Sequence, residues 1–377
     1  MTDDDNLAPI PEAESGAVLQ LVEEELGASF VMTDISRIWG GAWFRLLQAH
    51  DRDMAFYRVL GNRVVPAHFD PDLSFSDLGL AVFTFEDIEF AVLQFQKGFD
   101  SFHFVFTAPE DAEEVPGLLR FLRDAEHKER RLSIWGGRDI PLDKLDTENF
   151  VMPATVERAL EREVYPQLED GEVFNHVLLY SYPGVGKTAF CRVLAKQFPD
   201  WKTIIVFPAA VDKPKQLMGA FDYAAYRAPA ILIFEDIDTW AQTRFEEATY
   251  KEDFSPFLGA LLNGVDGIES HQGLLVISTT NNPECLDPAI VRPGRFGIQI
   301  EFRYTEAELA HICQNYLGED RPHAFFHPYL RNTPAHIRAL MKTAQATHKL
   351  RGTPITHEML REIDAVLKAP TRLPKPE

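Results

Sequence analysis

The residue types best suited to chemistry lie in the segment 181–188, whose sequence is SYPGVGKT. It follows the apolar run 177–180 and precedes apolar residues at helical spacing, so the pattern predicts a loop between a strand and a helix. Glycines let several backbone N–H groups turn toward one point, and a helix N-terminus adds positive potential. The segment therefore predicts a phosphate-binding loop of the form GxxxxGK[ST], with Ser181 in the first glycine position.

The spacing of this loop assigns individual roles to its residues. Lys187 is expected to reach the β- and γ-phosphates of ATP, and the Thr188 hydroxyl is expected to bind Mg²⁺. The residues expected to contact the nucleotide are Tyr182, Pro183, Gly184, Val185, Gly186, Lys187, Thr188 and Ala189. Two alternatives stay open: a glycine-rich turn with a chance lysine, and a loop that binds nucleotide without turning it over.

A pair of carboxylates follows the apolar run 231–234. Such a run fits a buried parallel strand that brings acids to its carboxyl end, where open α/β sheets bind ligands. Glu235 is expected to hold Mg²⁺ together with Thr188, and Asp236 is expected to polarise the attacking water. The alternative is a helix N-terminus decorated with acids.

Three further residues are candidates for the same chemistry. Asn281 follows the predicted strand 274–278 and is expected to hydrogen-bond the γ-phosphate or the water. Arg292 and Arg295 flank a Pro-Gly turn, so both guanidinium groups could reach an anionic phosphate, including one on a neighbouring subunit. The alternative is a pair of surface arginines bound to local acids.

The remaining pattern divides the chain into four segments. We predict an acidic flexible tail over 1–24, a small α+β domain over 25–137, an α/β core over 138–303, and a helical lid with a C-terminal tail over 304–377. Residues 133–146 are expected to be a linker. The strands predicted for the core are 177–180, 203–207, 231–234, 274–278 and 298–302; those of the first domain are 73–75, 80–85, 89–95 and 102–106.

Together these motifs resemble the AAA family of ATPases over roughly residues 145 to 345, including its second region of homology. In that family the acid pair is usually Asp then Glu, whereas here the order is inverted to Glu235-Asp236. The sequences FEDID at 234–238 and LLNGVDG at 261–267 are most similar to the branch of the mitochondrial Rieske-protein translocase, which shares this inverted order. The resemblance implies a five-stranded parallel P-loop sheet with a helical lid, and a homo-oligomeric ring of six or seven subunits that binds ATP at its interfaces.

In such a ring Arg292 and Arg295 would be fingers that complete the neighbour's site, and Asn281 would be the sensor. Three features depart from the family pattern: Ser-Tyr replaces Gly-Pro at 181–182, Gly297 replaces an acidic residue, and no membrane helix precedes the ATPase segment. The second sensor of the lid is open between His336 and Arg338.

Composition narrows the function. The 58 acidic and 37 basic residues give a formal charge of −21, which disfavours a role in gripping nucleic acid. Three cysteines without a CxxC pair and the absence of an apolar run of ~18 residues predict a cytoplasmic protein. We therefore expect a Mg²⁺-dependent ATPase that remodels or translocates a protein substrate; the alternatives are an ATP-gated scaffold with little turnover and a DNA-handling ATPase.

Overall fold

The computed structural model describes residues 12–27, 29–36, 43–51, 54–60, 63–67, 79–97, 100–137, 139–239, 256–266, 273–318 and 321–367. The chain forms two compact units, residues 1–130 and 131–377. The predicted strand 73–75 lies outside the described residues. Among the described residues, no helix is both long and apolar enough to cross a bilayer.

The first unit is an antiparallel sheet with helices. Its elements are α1 (Glu12–Leu26), β1 (Val31–Asp34), α2 (Trp43–His50), β2 (Ala55–Leu60), β3 (Arg63–Ala67), β4 (Gly79–Phe85), β5 (Ile88–Lys97), β6 (Asp100–Thr107) and α3 (Val115–Lys128). The described strands form one sheet in the order β1-β6-β5-β4-β2-β3.

Helix α1 occupies much of the segment that we expected to be a flexible tail, and this expectation is wrong from residue 12 onward. Val18 and Val22 are one helical turn apart and pack on the sheet against Leu80, Leu93 and Phe104. The acidic composition hid this apolar stripe. On α3, the apolar residues Val115, Leu118, Leu119 and Leu122 recur at helical spacing and are all buried.

The second unit carries the predicted phosphate loop. Its sheet and flanking helices are β7 (Arg131–Ile134), β8 (Ile140–Pro141), α4 (Ala154–Glu163), α5 (Tyr165–Asp170), β9 (Val177–Tyr180), α6 (Lys187–Gln197), β10 (Lys202–Val206), α7 (Pro214–Tyr226), β11 (Ala230–Phe234), α8 (Pro256–Asp266), β12 (Leu274–Thr280) and β13 (Ile298–Glu301). The helices that follow are α9 (Glu306–Leu317), α10 (His323–Phe326), α11 (Pro334–Arg351) and α12 (His357–Val366).

The sheet of this unit is larger than the five-stranded parallel sheet that we expected. Its described strands follow the order β13-β9-β12-β11-β10-β7-β8. The strands β9 to β13 run parallel to their neighbours, β7 extends them in parallel beside β10, and β8 pairs antiparallel with β7. The sheet is therefore mixed, and the expected linker 133–146 contains sheet residues. The four-residue strand β7 is too short for its periodicity to identify it, and its partner β10 lies about 70 residues further on.

Both faces of the sheet are covered, as in a buried parallel sheet. Leu232 and Phe234 of β11 pack with α7 and α8, while Ile231 and Ile233 pack with α4 and α6. This alternation fixes which side chains point to which face. Because β9, β11 and β12 are neighbours in register, the residues after Tyr180, Phe234 and Thr280 meet at one edge.

The helices after β13 enclose a core of their own, which includes Leu309, Ile312, Ile337, Leu340 and Leu360. A Thr305–Glu308 capping box begins α9, and a Thr333 cap begins α11. The N-terminus of α11 contacts the phosphate loop, because the Ala335 N–H donates to the Gly184 carbonyl at 3.0 Å. The helical subdomain thus lies against the predicted site.

Candidate active site

The backbone of the phosphate loop depends on its two glycines. Gly184 and Gly186 have φ of 81° and 106°, a region that strongly favours glycine. A Cβ on Gly184 would also lie 3.2 Å from Thr333 Oγ1. A Cβ on Gly186 would lie 3.7 Å from the Phe150 ring, so Phe150 borders this loop.

Ser181 is tied to the sheet rather than turned toward the loop. Its hydroxyl donates to the Phe302 carbonyl at 2.6 Å, and its N–H donates to the Thr280 carbonyl at 3.3 Å. The side chain that departs from the family pattern therefore has a local structural role. Of its loop neighbours, Tyr182 is half exposed, whereas Val185 is buried in the core beneath the loop.

Lys187 lies buried at the centre of the loop. Its ammonium donates to the carbonyls of Ser181 and Tyr182 at 3.2 and 3.4 Å, and to Asn281 Oδ1 at 2.7 Å. Burial lowers the pKa of Lys187, and the nearby carboxylates, chiefly Asp236, oppose that shift. The Lys187 amine therefore lies where two loop carbonyls and the Asn281 side chain surround it.

Glu235 is 2% exposed and turns one carboxylate oxygen toward two hydroxyl groups. Its Oε2 accepts from Thr279 Oγ1 at 2.9 Å and from Thr188 Oγ1 at 3.2 Å. Its Oε1 is buried without a hydrogen-bond donor among the described residues. Burial is the main cause of the raised pKa of this carboxyl.

A buried carboxylate oxygen without a donor, beside a threonine hydroxyl, fits a hard divalent cation such as Mg²⁺. No group of three or more His, Cys, Asp or Glu side chains among the described residues could hold a metal by itself. Thr188 and Glu235 would therefore need water and phosphate oxygens to complete the coordination, as Mg²⁺ usually does.

Asp236 adopts an unusual backbone conformation, with φ of 48°. Short polar residues such as Asp tolerate this left-handed region better than most, which suits Asp to the second position of the acid pair. Its N–H donates to Thr279 Oγ1 at 2.9 Å, and its Oδ1 accepts from Asn281 Nδ2 at 2.8 Å. Burial and the charge of Asp238 raise the pKa of Asp236.

Asn281 joins the lysine to this acid, because its Oδ1 accepts from Lys187 while its Nδ2 donates to Asp236. Two residues that we did not predict support the arrangement. Thr279 contacts both acids, and buried Asp238 accepts from Thr280 Oγ1 at 3.1 Å and from the Asn281 N–H at 3.2 Å. Thr279 lies two residues before Asn281, and Asp238 lies two residues after Asp236; this closeness in sequence was the available signal.

The arginine turn, residues 292–295, lies apart from this cluster on the segment between β12 and β13. Arg295 binds Asp266 through Nε at 2.7 Å and Nη2 at 2.5 Å, and donates to the Ala289 carbonyl at 2.8 Å. The Arg292 side chain is exposed, and its guanidinium makes no hydrogen bond or ion pair within the described part of the chain. Both line an open cavity of about 490 Å³ together with Leu262 and Asp287.

The candidates for the second sensor make contacts elsewhere. The buried His336 pairs with Asp364 Oδ1 at 2.6 Å, and Arg338 contacts Asp146 Oδ2 at 3.4 Å. The structure brings Lys187, Thr188, Glu235, Asp236 and Asn281 together and gives both arginines other surroundings.

Comparison with known proteins agrees with this geometry. Residues 177–304 match the sequence profile of the ATPase family associated with various cellular activities (AAA). The probable 26S proteasome regulatory subunit 10B of Caenorhabditis elegans is 35% identical over 158 residues, which is 38% of this chain and 39% of the relative. The 26S proteasome regulatory subunit 10B of Dictyostelium discoideum is 35% identical over 131 residues, 33% of each chain.

A putative 26S proteasome regulatory subunit homolog of Methanocaldococcus jannaschii is 32% identical over 157 residues, which is 39% of this chain and 42% of the relative. The chain thus spans about two fifths or less of the curated relatives that it matches. Residues 177–304, with the phosphate loop, the acid pair and the arginine turn, form an AAA ATPase domain homologous to part of the 26S proteasome regulatory subunits.

Proposed function

We propose that this chain hydrolyses ATP with Mg²⁺ as a homo-oligomeric ring and uses the energy to remodel or translocate a protein substrate. The observation that carries the proposal is the continuous contact from Lys187 through Asn281 to Asp236, beside a Glu235 oxygen that has no donor among the described residues. Phosphoryl transfer needs these groups in one place, because its catalysis is mainly positioning and electrostatics.

The cis half of the reaction follows from these contacts. When ATP binds, Lys187 exchanges its contacts with the Ser181 and Tyr182 carbonyls for phosphate oxygens. Asp236 accepts a hydrogen bond from the attacking water, and its raised pKa makes it a stronger base than an ordinary aspartate. Asn281 orients that carboxylate and senses the terminal phosphate through its contact with Lys187.

Thr188 and Glu235 would hold the Mg²⁺ ion. When bound, the ion would neutralise charge on the β- and γ-phosphates. The contribution of the chain is to hold the Glu235 carboxylate beside the loop through the hydrogen bond from the Thr279 hydroxyl.

The trans half is assigned to the arginine turn. Arg292 is exposed on a turn that Arg295 anchors at its base through Asp266. A guanidinium in this position suits an anionic phosphate on another subunit, and a head-to-tail contact that closes produces a ring. We propose six or seven subunits, as in the family that the sequence resembles.

A protein substrate is favoured by the similarity to subunits named as proteasome regulators and by the acidic surface, which opposes a DNA-handling role. The segment 208–215, PAAVDKPK, contains no aromatic residue that could grip an extended chain. We therefore favour movement of the substrate by opening and closing of the ring. The sequences at 234–238 and 261–267 favour a relationship with the Rieske-protein translocase branch.

The decisive experiment is steady-state phosphate release by the purified, assembled protein with ATP and Mg²⁺, compared with Asp236→Asn. We expect turnover that the substitution reduces by at least about 100-fold while ATP binding persists. The inverted acid pair favours an ATP-gated scaffold as the second candidate. That scaffold would bind ATP and assemble but would release phosphate at the same negligible rate in both proteins.

A further inference from the structure

The loop before β9 holds the arginine turn in place. Asn175 Oδ1 accepts from the Gly294 N–H at 3.2 Å, at the turn between the two arginines. The next residue, His176, donates its N–H to the Arg295 carbonyl at 2.8 Å and accepts at its own carbonyl from the Ile298 N–H at 3.1 Å. Residues 174–176, which we call the strap, therefore contact the turn at its middle and at its end.

The strap is itself fixed to the interior of the unit. Gln167 on α5 is 1% exposed, and its Oε1 accepts from the N–H groups of Phe174 and Asn175 at 2.9 and 3.0 Å. At the other end, His176 Nδ1 accepts from the Val276 N–H of β12 at 3.2 Å. Buried polar groups with satisfied hydrogen bonds hold a backbone in one place. The strap therefore gives the exposed turn a rigid base.

Gly297 provides independent support for the importance of Asn175. A Cβ at this position would lie 2.6 Å from Asn175 Oδ1, closer than non-bonded atoms approach. Gly297 has no left-handed backbone angle that would require glycine, and its surface is exposed. The Asn175 side chain occupies the space that a Cβ at position 297 would need. This explains why glycine stands at this position, where the family pattern has an acidic residue.

We propose that Asn175 is a positioning residue for the arginine turn, and that Gly297 leaves the space that the Asn175 side chain needs for this role. Asn175 fixes Gly294 through its side chain, so that Arg292 is presented in one direction to the neighbouring subunit. This inference rests on the proposed function of the arginine turn in trans. Asn175 contacts the turn and not the phosphate loop, so its loss acts on the neighbour's turnover and leaves ATP binding intact.

The first test compares Asn175→Ala, Asn175→Asp and the control Glu172→Ala in assembled rings. Glu172 is exposed on the same loop. We expect Asn175→Ala to lower kcat about 10- to 100-fold with ATP affinity unchanged, because small displacements of a positioning group cost this much. Asn175→Asp keeps an oxygen acceptor for the Gly294 N–H and should recover most of the activity, while Glu172→Ala should match the wild type.

Mixed rings separate positioning from a fault in folding. Asn175→Ala subunits mixed equally with Lys187→Ala subunits should regain up to about a quarter of the wild-type turnover, the share of interfaces with both intact halves under random assembly. Asn175→Ala mixed with Arg292→Ala should regain nothing, because both lack a working arginine turn. Equal recovery in the two mixtures, or none in the first, would overturn the assignment.

The pairing with Gly297 gives a second, independent measurement. Gly297→Ala should lower kcat in the wild type but cause little further loss in the Asn175→Ala background, because the group that it displaces is already gone. Additive losses would contradict the pair. If Arg292→Ala and Lys187→Ala subunits do not complement each other, the trans function itself fails; if they do and Asn175→Ala is fully active, only the role of Asn175 fails.

Discussion

The two regions assigned to the reaction differ in how they are held. The cis cluster of Lys187, Glu235, Asp236 and Asn281 is half-buried to buried, and its members hydrogen-bond one another or the strand ends beneath them. The arginine turn is exposed at Arg292, and its contacts are made at its base by Asp266 and the strap.

From this difference we infer what each region would contribute to the proposed reaction. The cis cluster is preorganised by one sheet, because three adjacent strands end at the same edge. The arginine turn exposes the Arg292 side chain and is itself held only at its base, by Asp266 and the strap. A single subunit should therefore bind ATP but hydrolyse it slowly, and assembly should supply the missing charge.

The largest expected effect comes from removing the charge at the centre of the cis cluster. Lys187→Ala should weaken ATP binding at least about 100-fold and reduce turnover at least about 1,000-fold, because the lysine contacts phosphate in both the ground and transition states. Binding is measured by calorimetry with a non-hydrolysed ATP analogue, and turnover by phosphate release.

The matched control is Lys196→Ala on the same helix, which loses its contact with the Leu145 carbonyl, away from the cluster. It should bind ATP like the wild type after correction for any loss of stability. Normal binding by Lys187→Ala would show that the loop does not hold the phosphates, and the assignment of the cis cluster would fail.

The next effect distinguishes the two arginines. Arg292→Ala should lower kcat roughly 100-fold while ATP affinity and thermal stability stay unchanged, since this side chain has no partner within the described chain. Arg295→Ala should also lower kcat and should in addition cost about 1 kcal/mol of folding stability, because it loses Asp266 and the Ala289 carbonyl.

Urea unfolding of both variants checks the second half of this prediction. Asp266→Ala should show part of the stability loss of Arg295→Ala, because it leaves the contact with the Ala289 carbonyl, and the double variant should lose little more than Arg295→Ala. If Arg292→Ala were the less stable protein, the contrast between a presented arginine and an anchored one would be wrong.

Much of the cis cluster could be inferred from sequence, and the reason is its locality. Lys187 and Thr188 follow from a short motif, and Glu235 and Asn281 each follow an apolar run that ends at the same sheet edge. The roles of these residues stay predictions. Their proximity could be inferred because each one follows one of the parallel strands of the same sheet, and the carboxyl ends of such strands meet at one edge. The structure was needed to explain why an Asp suits position 236, because only the structure shows the left-handed backbone that Asp tolerates better than most residues.

The residues that hold the arginine turn in place, such as Asn175, could not be predicted from the sequence. Asn175 and Gly294 are 119 residues apart, and nothing in the loop 171–176 indicates a contact with that turn. The strand β7 and the helix α1 were missed for a related reason, since short or acidic segments show their apolar faces only against a distant partner.

A smaller effect concerns the pH dependence of the cis cluster. Asp236 must be ionised to accept a proton, and its raised pKa keeps it protonated to a higher pH than an ordinary aspartate. The kcat should therefore fall on acidification at a higher pH than for an ordinary aspartate. Asp238→Asn removes a neighbouring negative charge and retains an acceptor for Asn281, so the acid limb should move to lower pH.

Asp143→Asn is the control for this shift, since it makes the same charge change at an exposed position. It should leave the acid limb in place. A limb that stays unchanged in Asp238→Asn would show that a group other than Asp236 limits turnover at low pH.

The smallest expected effect tests whether Ser181 belongs to the chemistry or to the scaffold. Its hydroxyl donates to the Phe302 carbonyl, so Ser181→Ala should cost about 1 kcal/mol of folding stability, the usual loss for a hydrogen bond that leaves an acceptor unpaired. Ser181→Gly restores the residue of the family pattern and should cost somewhat more, because glycine has greater freedom in the unfolded chain. Urea unfolding measures both values, and wild-type stability in Ser181→Ala would show that the hydroxyl bond adds nothing. A stability loss in Ser181→Ala would place this serine with the sheet that carries the loop, and would explain why the cis cluster tolerates it in the first glycine position.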